Sequence, residues 1–286
     1  MRSIVVLKRT LYAANDNDNA IDIYPAGVVN PRKIGSITQG ASGPSGLFVD
    51  DAGTLYVANA ASRTITEYLA GQSSPSTTLA IPDQPVTLTV GPDGTVYVVT
   101  VHRNGAYRLV EFDPGVTSPS RSLTFFHGLP CPIYVAGLAA DASNDLYLVE
   151  VGACGAGGGS IVEYAPRSLK GTYVPLNISD PNWGSWGSAL AVIAGEKLLV
   201  SSPEYSGSGY LYTFQLPTGT LLNTISLPSK VGIGTYLAFD AGSGYLYLPS
   251  TTTSSISIVD SASGTVVGSI PHHGRGVAVY PPSLPW

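Results

Sequence analysis

The sequence predicts an all-β fold, a six-bladed β-propeller in which each blade is a four-stranded antiparallel sheet. A strand–turn–strand unit recurs six times along the 286 residues, at a spacing of about 41 to 52 residues. A repeat of this length, built from short β-runs, is typical of propeller blades. The apolar triplets at the centres of the units are Leu11–Ala13, Leu55–Val57, Val96–Val98, Leu146–Leu148, Leu198–Val200 and Leu246–Leu248.

The second unit shows the expected blade most clearly, in the segment GLFVDDAGTLYVAN at residues 46–59. A tight turn at Asp51-Ala52-Gly53 separates its two apolar runs, because Gly, Asn and Asp supply the positive φ angles that short hairpins need. We expect four strands in this unit, namely Gly46–Asp50, Thr54–Asn59, Thr64–Leu69 and Thr77–Ile81.

The other units follow the same order. Equivalent first turns occur at 91–94, 141–145 and 240–244. The third strands alternate apolar and polar residues at period two, which is typical of half-buried strands. They fall within 20–27, 64–71, 109–115, 160–167, 211–219 and 255–264.

Closure of the ring can also be predicted. After the sixth unit a further apolar run, Gly276–Tyr280, has no hairpin partner downstream. We expect it to join the first unit as its inner strand, which would close the ring and remove free sheet edges. Ser3–Leu7 competes for the same position, and the sequence leaves open which of the two strands occupies it.

These motifs resemble NHL repeats and related six-bladed propellers, which share the pattern G-hydrophobic-x-hydrophobic-D followed by G-x-LYVAN. The resemblance covers nearly the whole chain and implies the propeller fold. It implies no single activity, because the family includes binding modules, hydrolases and lyases, and the function of a propeller depends on its loops.

The composition predicts one globular domain spanning residues 1–286. Hydrophobic residues make up 44% of the chain, which is enough to form a core despite 33 Gly and 22 Pro. Charged residues make up 12%, against roughly 25% in an average protein. Such a composition is common in secreted β-proteins. The chain is then either cytoplasmic or a mature form in which Met1 stands in place of a removed leader. We favour the second, with a secreted, periplasmic or cell-surface location.

The charge and hydropathy patterns exclude two classes of partner. The net charge is −5, and the 14 Lys and Arg residues are scattered along the sequence without a basic run. Nucleic-acid binding depends on concentrated positive charge. No apolar run approaches the roughly 20 residues that span a bilayer. We expect neither a nucleic-acid partner nor membrane insertion.

Candidate binding residues gather on one face of the predicted propeller. In a four-stranded meander, the inter-blade loop that leads into an inner strand and the loop between the second and third strands lie on the same side, here called the loop-rich face. Exposed Trp and Tyr beside polar groups suit recognition of a glycan or a protein. A second interpretation places the two tryptophans as packing between adjacent blades. The predicted binding residues are Trp183, Trp186, Tyr205, Glu204, His102, Arg103, His127 and Arg275.

The two cysteines, Cys131 and Cys154, fall on loops of the fourth unit that share the loop-rich face. The glycine-rich stretch Gly155–Gly159 gives Cys154 the freedom to reach its partner. We predict a disulfide bond between them, in keeping with an oxidising compartment. Two cysteines are too few for a zinc site, which usually has four ligands.

No cofactor or metal ion is expected. Asn15–Asn19 superficially resembles a calcium loop, but it lacks the central Gly and the bidentate Glu, and Asn and Asp simply suit a hairpin turn there. Gluconolactonase-like propellers hold a divalent cation over the channel through side chains at the starts of the inner strands. Here those positions carry no carboxylate: Ser45-Gly46, Pro85-Val86, Ala136-Gly137, Ser188-Ala189, Thr235-Tyr236 and Gly276-Val277.

Two other functions stay open. An enzyme, a lyase or hydrolase, would use His127, His272 or His273 as acid or base, with Glu150 nearby. A structural role is the third hypothesis, in which propellers self-associate into a surface layer or fibre, and the low charge is compatible with it.

Overall fold

The structure of the protein is a computed structural model that describes residues 9–124, 133–152, 159–168, 170–174, 176, 189–193, 197–202, 208–229, 231, 236–250 and 252–282. These residues form six four-stranded antiparallel sheets. None of them belongs to a helix long and apolar enough to cross a membrane.

The first half of the chain supplies the strands of three blades, apart from one inner strand. They are β1 (Thr10–Asn15), β2 (Ala20–Pro25), β3 (Gly35–Ile37), β4 (Pro44–Val49), β5 (Leu55–Asn59), β6 (Thr64–Tyr68), β7 (Thr77–Ala80), β8 (Gln84–Val90), β9 (Val96–Val101), β10 (Tyr107–Phe112) and β11 (Arg121–Thr124).

The second half supplies the remaining strands. They are β12 (Ile133–Ala140), β13 (Leu146–Gly152), β14 (Gly159–Tyr164), β15 (Thr172–Tyr173), β16 (Ala189–Ile193), β17 (Lys197–Ser202), β18 (Ser208–Gln215), β19 (Thr220–Ser229), β20 (Ala238–Asp240), β21 (Tyr245–Ser250), β22 (Ser255–Asp260), β23 (Val266–Pro271) and β24 (Val277–Tyr280).

Each blade runs from an inner strand near the ring axis to an outer strand at the rim. Blades 2 to 6 follow chain order, as β4–β7, β8–β11, β12–β15, β16–β19 and β20–β23. Blade 1 combines the two ends of the chain in the order β24-β1-β2-β3. The predicted six-bladed propeller is therefore confirmed.

The ring closes through the C-terminal strand, as predicted. Thr10 pairs with Tyr280 and Ala13 with Val277, and the Ala14 amide donates to the Gly276 carbonyl over 2.8 Å. The inner strands contact one another in the circular order β24, β4, β8, β12, β16, β20 and back to β24. Ser3–Leu7, the competing strand, lies outside the described residues.

The recurring Asp and Tyr of the repeat are partners within a blade. The Tyr56 hydroxyl donates to the Asp50 carboxylate over 3.4 Å, and the Tyr147 hydroxyl to Asp141 over 3.3 Å. Each aspartate sits in the turn after an inner strand, where it also accepts a backbone amide. The motif therefore ties the first turn of a blade to its second strand, and the apolar residues of the strands pack between blades.

A polar contact joins blades 6 and 1 on the face opposite the loop-rich face. The Arg9 guanidinium forms a two-pronged ion pair with the Asp240 carboxylate, through Nε and Nη2. A Cβ added to Gly27 would lie 2.5 Å from Arg9 Nη2, so glycine leaves the room for this side chain. The Tyr247 hydroxyl accepts the Gly27 amide over 2.7 Å. Blade 6 is thus fastened to the first residues of blade 1.

Candidate binding face

Backbone hydrogen bonds place the two kinds of loop on one face. In blade 2 the Ala60 amide, in the second-to-third loop, donates to the Gly43 carbonyl of the inter-blade loop over 2.9 Å. At the closing strand the His272 amide donates to the Ser254 carbonyl over 3.0 Å. In these two described blades the inter-blade loop is therefore supported by a hairpin loop, which is the arrangement that antiparallel geometry predicts.

Asp83 organises the loop-rich face at blade 3. It lies in the inter-blade loop before β8 and is 7% exposed. His102 Nδ1 donates to Asp83 Oδ1 over 2.6 Å, and Arg108 Nη1 donates to Oδ2 over 3.0 Å. The side chains of His102 and Arg108 remain 38% and 34% exposed. One buried carboxylate therefore orients a histidine and an arginine at the surface.

Two buried polar atoms without a partner lie beside this carboxylate. Thr100 and Arg108 face each other across β9 and β10. Thr100 Oγ1 and Arg108 Nε are both buried and have no hydrogen-bond partner among the described residues. Buried polar atoms are normally satisfied, so this pair marks a place with unused hydrogen-bonding capacity.

The fold gathers cations that are scattered in the sequence. The Arg63 carbonyl accepts the Ile81 amide over 2.9 Å, so the Arg63 loop touches the inter-blade loop that carries Asp83. Arg63 and Arg103 are both exposed. We call Arg63, His102, Arg103 and Arg108 the blade 2–3 basic patch. His102 and Arg103 were predicted from the sequence as binding residues, whereas Arg63 and Arg108 were not, because their place in the patch depends on the contacts made through Ile81 and Asp83.

His272 is buried beneath the same face at blade 1. Its Nε2 donates to the Ala14 carbonyl over 2.7 Å, Nδ1 lies 3.7 Å from Asp22 Oδ2, and its ring meets Tyr24 edge-on. Burial lowers the pKa of His272, although the Ala14 hydrogen bond and the Asp22 charge act in the opposite direction. The contact fixes the approach to β24, whereas His273 and Arg275 are exposed.

Asp22 is a buried carboxylate that the sequence analysis missed. It accepts hydrogen bonds from Asn15 Nδ2 at 3.1 Å, Ser36 Oγ at 2.8 Å and Lys33 Nζ at 3.1 Å. Burial favours the neutral acid, but these three donors outweigh it, so the pKa of Asp22 is lowered. Blade 2 has Thr66 at the equivalent register. A carboxylate at this position was the signal available in the sequence.

Asn15–Asn19 forms the hairpin between β1 and β2, as the turn interpretation expected. Asn15 Oδ1 accepts the Asp18 amide over 3.1 Å, and Asn19 has a φ of 49°. Within the described ranges, no three His, Cys, Asp or Glu side chains lie close enough together to hold a metal ion.

Tyr236 reaches across the inner strands at the loop-rich end of the ring. Tyr236 precedes β20 of blade 6, yet its hydroxyl lies close to Gly46 in β4 of blade 2. A Cβ added to Gly46 would lie 3.3 Å from Tyr236 Oη and 3.2 Å from the Thr87 Cα in β8. Tyr236 is 8% exposed. Its ring therefore fills space between inner strands, and Gly46 leaves the room for it.

Several predicted residues cannot be placed on this face. Glu150 lies in β13, opposite Val135 and Ser160, and the structure describes its backbone. Seven predicted residues lie outside the described residues: His127, Cys131, Cys154, Trp183, Trp186, Glu204 and Tyr205.

Comparisons with known proteins recover the fold at low sequence identity. No protein-family model matches the chain, and no curated protein matches it. A Bacteroides caccae protein of unknown function is 12% identical, over 95% of this chain and 98% of that chain, with a TM-score of 0.62. A chain of the nidogen/laminin complex is 15% identical, over 95% and 97%, with a TM-score of 0.60.

An enzyme is also among the similar structures. A catalytically inactive variant of virginiamycin B lyase from Staphylococcus aureus, solved with quinupristin, is 12% identical, over 87% of this chain and 77% of that chain, with a TM-score of 0.57. Propellers of this kind thus include a component of a protein complex and an enzyme, and at these identities the likeness identifies the chain as a six-bladed β-propeller.

Proposed function

We propose that the protein is an extracytoplasmic binding module that recognises a glycan or a protein through its loop-rich face. The observation that carries the proposal is the Asp83 contact, in which a buried carboxylate orients His102 and Arg108 at the surface. Side chains held in place before binding lose less conformational entropy when a ligand arrives. A preorganised polar surface of this kind suits recognition.

The sequence and the comparisons support the proposal from other directions. The repeat resembles NHL-type propellers, and a chain of the nidogen/laminin complex shares the fold. The two tryptophans predicted for the loop-rich face, Trp183 and Trp186, would add rigid contact area. An extracytoplasmic location agrees with the low charge, and a Cys131–Cys154 disulfide would accompany it.

A thermal-shift screen tests this function. The purified protein is heated with glycans, short peptides and divalent cations, with and without EDTA. A ligand at a hundredfold excess over its Kd adds about 2.7 kcal/mol of stability. Trp183→Ala combined with Trp186→Ala should weaken that shift, whereas Tyr173→Ala, an exposed aromatic on the outer strand β15, should not. An equal shift in the double tryptophan variant would contradict the proposed face.

One observation favours an enzyme as the second candidate. The Asp83 carboxylate engages His102 Nδ1, which leaves Nε2 as the nitrogen available for proton transfer, the geometry of a general acid or base. A lyase or hydrolase would lose activity in both His102→Asn and Asp83→Ala. Its pH–rate profile should also lose one limb in the His102 variant. Activity that survives both substitutions would remove this candidate.

A further inference from the structure

We propose that the blade 2–3 basic patch binds an acidic polysaccharide, whose sugar carboxylates or sulfates pair with Arg63, Arg103 and Arg108. The inference rests on the proposed function and names the ligand class for one part of the loop-rich face.

Charge complementarity is the first argument. Asp83 is buried and already engaged by His102 and Arg108, and the exposed Arg63 and Arg103 lie on the two hairpin loops that contact the Asp83 loop. The protein as a whole carries a net charge of −5, so the patch is a local reversal of sign. Among the described residues, the exposed acids Asp16 and Asp18 lie over blade 1, where Arg275 is exposed as well. An anionic ligand would therefore be attracted to blades 2 and 3 more strongly than to blade 1.

The way in which Arg108 is held is the second argument. Arg9 and Arg121 each engage a carboxylate with Nε and a terminal nitrogen together. Arg108 uses only Nη1 on Asp83, and its Nε is buried without a partner among the described residues. Asp83 therefore holds one edge of the guanidinium through Nη1, and the other terminal N–H groups of this 34% exposed side chain can meet an oxyanion. Arginine also pairs well with planar oxyanions in two-pronged geometry.

The neighbouring side chains favour a polysaccharide over a protein. The exposed residues around the patch are small or polar, including Ser62, Gln84, Asn104 and Gly105. Protein interfaces usually need aromatic or apolar anchors at their centre. Amide and hydroxyl groups can instead hydrogen-bond the hydroxyls of a sugar chain.

The test compares three polysaccharides and five proteins: the natural protein, two single variants, their double variant and one control variant. Binding of the full chain to polygalacturonate, dextran sulfate and neutral dextran is measured at low and high salt by biolayer interferometry. Arg63→Gln and Arg103→Gln each remove one exposed cation. Each should weaken binding to an acidic polymer about threefold to fivefold, and the double variant about tenfold or more. The control is Arg32→Gln, an exposed arginine in the 26–34 connection on the opposite face, which should bind like the natural protein.

The outcomes separate the alternatives. Binding to polygalacturonate identifies carboxylates, binding to dextran sulfate identifies sulfates, and either supports the proposal if it weakens with salt and with the double variant. Equal weakening by Arg32→Gln, or equally tight binding of an oligothymidine, would overturn it. If acidic polymers fail while a neutral glycan or a peptide binds, this inference is wrong and the proposed function stands. If nothing binds the loop-rich face, both are wrong.

Discussion

Replacing Asp22 by alanine should lower the free energy of unfolding by about 3 kcal/mol at neutral pH. The buried Asn15 amide would lose one of its two carboxylate acceptors, at a cost of about 1 to 2 kcal/mol, and the bond from Ser36 contributes about 1 kcal/mol. The Lys33 ammonium is 48% exposed, so that ion pair adds at most about 1 kcal/mol. For a protein of 286 residues, 3 kcal/mol corresponds to a fall in Tm of about 5 °C.

The effect should depend on pH in a defined direction. The folded state lowers the pKa of Asp22 below its ordinary value of 3.8. Its contribution is therefore present above the unfolded pKa and is lost as the pH falls through the folded pKa. The difference in stability between the natural protein and Asp22→Ala should be constant near neutral pH and should narrow below about pH 4.

Urea unfolding at several pH values measures both parts of this prediction. If the slope of the free energy of unfolding against urea concentration is the same in the natural protein and the variant, both expose the same surface on unfolding. Asp22→Thr copies the residue of blade 2, where Thr66 accepts from Asn59 over 3.0 Å, so it should recover roughly half of the loss. The control Asp18→Ala removes the exposed partner of Asn15 and should cost less than about 0.5 kcal/mol. The prediction is wrong if Asp22→Ala lowers the free energy of unfolding by less than 1 kcal/mol at neutral pH. It is also wrong if the difference between the two proteins does not narrow at acid pH.

Further variants test other parts of the molecule. Because burial lowers the pKa of His272, stability should fall as the pH drops below about 6.5; His272→Gln, compared by urea unfolding at pH 7.5 and 5, should reduce that fall. Asp240→Ala should cost about 2 kcal/mol at pH 7, because Asp240 accepts from the Gly242 amide and the Ser243 hydroxyl and the Arg9 partner, 35% exposed, adds at most about 1 kcal/mol; a calorimetric loss below 1 kcal/mol would contradict this. Arg63→Asn should raise the free energy of unfolding by about 0.5 kcal/mol, and with it the Tm, because asparagine tolerates the φ of 56° better than arginine does. If a disulfide joins Cys131 and Cys154, its reduction should increase the intact mass of the protein by the mass of two hydrogen atoms. The free energy of unfolding should then fall by about 3 kcal/mol.

The backbone of this protein is largely predictable from its sequence. Alternating strands and Gly- and Asp-containing turns are local signals, and the six copies reinforce one another. The first strand of blade 2 was expected at Gly46–Asp50 and is Pro44–Val49, a shift at the ends that leaves its place in the sheet unchanged. Closure by Gly276–Tyr280 was predictable because that run has no other partner.

The side-chain contacts of the loop-rich face were less predictable, because they join residues from different repeats or different loops. The role of His102 depends on Asp83, which lies 19 residues away on another loop, and that of His272 on Ala14, at the other end of the chain. Periodicity describes each blade separately and carries no information about these pairs. From the sequence alone, a histidine on a predicted loop is therefore expected to be exposed to solvent, although His272 is buried in the structure.

Comparison between blades extends what the sequence can show. Three hairpin loops place a residue with positive φ just before the third strand: Asn19 at 49°, Arg63 at 56° and Ser254 at 48°. Asparagine suits that conformation and arginine does not, so the turn alone gives no reason for an arginine in blade 2. The Arg63 carbonyl accepts the Ile81 amide of the inter-blade loop that carries Asp83, so Arg63 lies on a loop next to the one that orients His102 and Arg108. At Arg63 the residue that suits the turn differs from the residue that suits the charged surface, which is a conflict expected at functional sites. In a repeated fold, a position where one blade departs from the residue type of the other blades is therefore a sequence signal for a site.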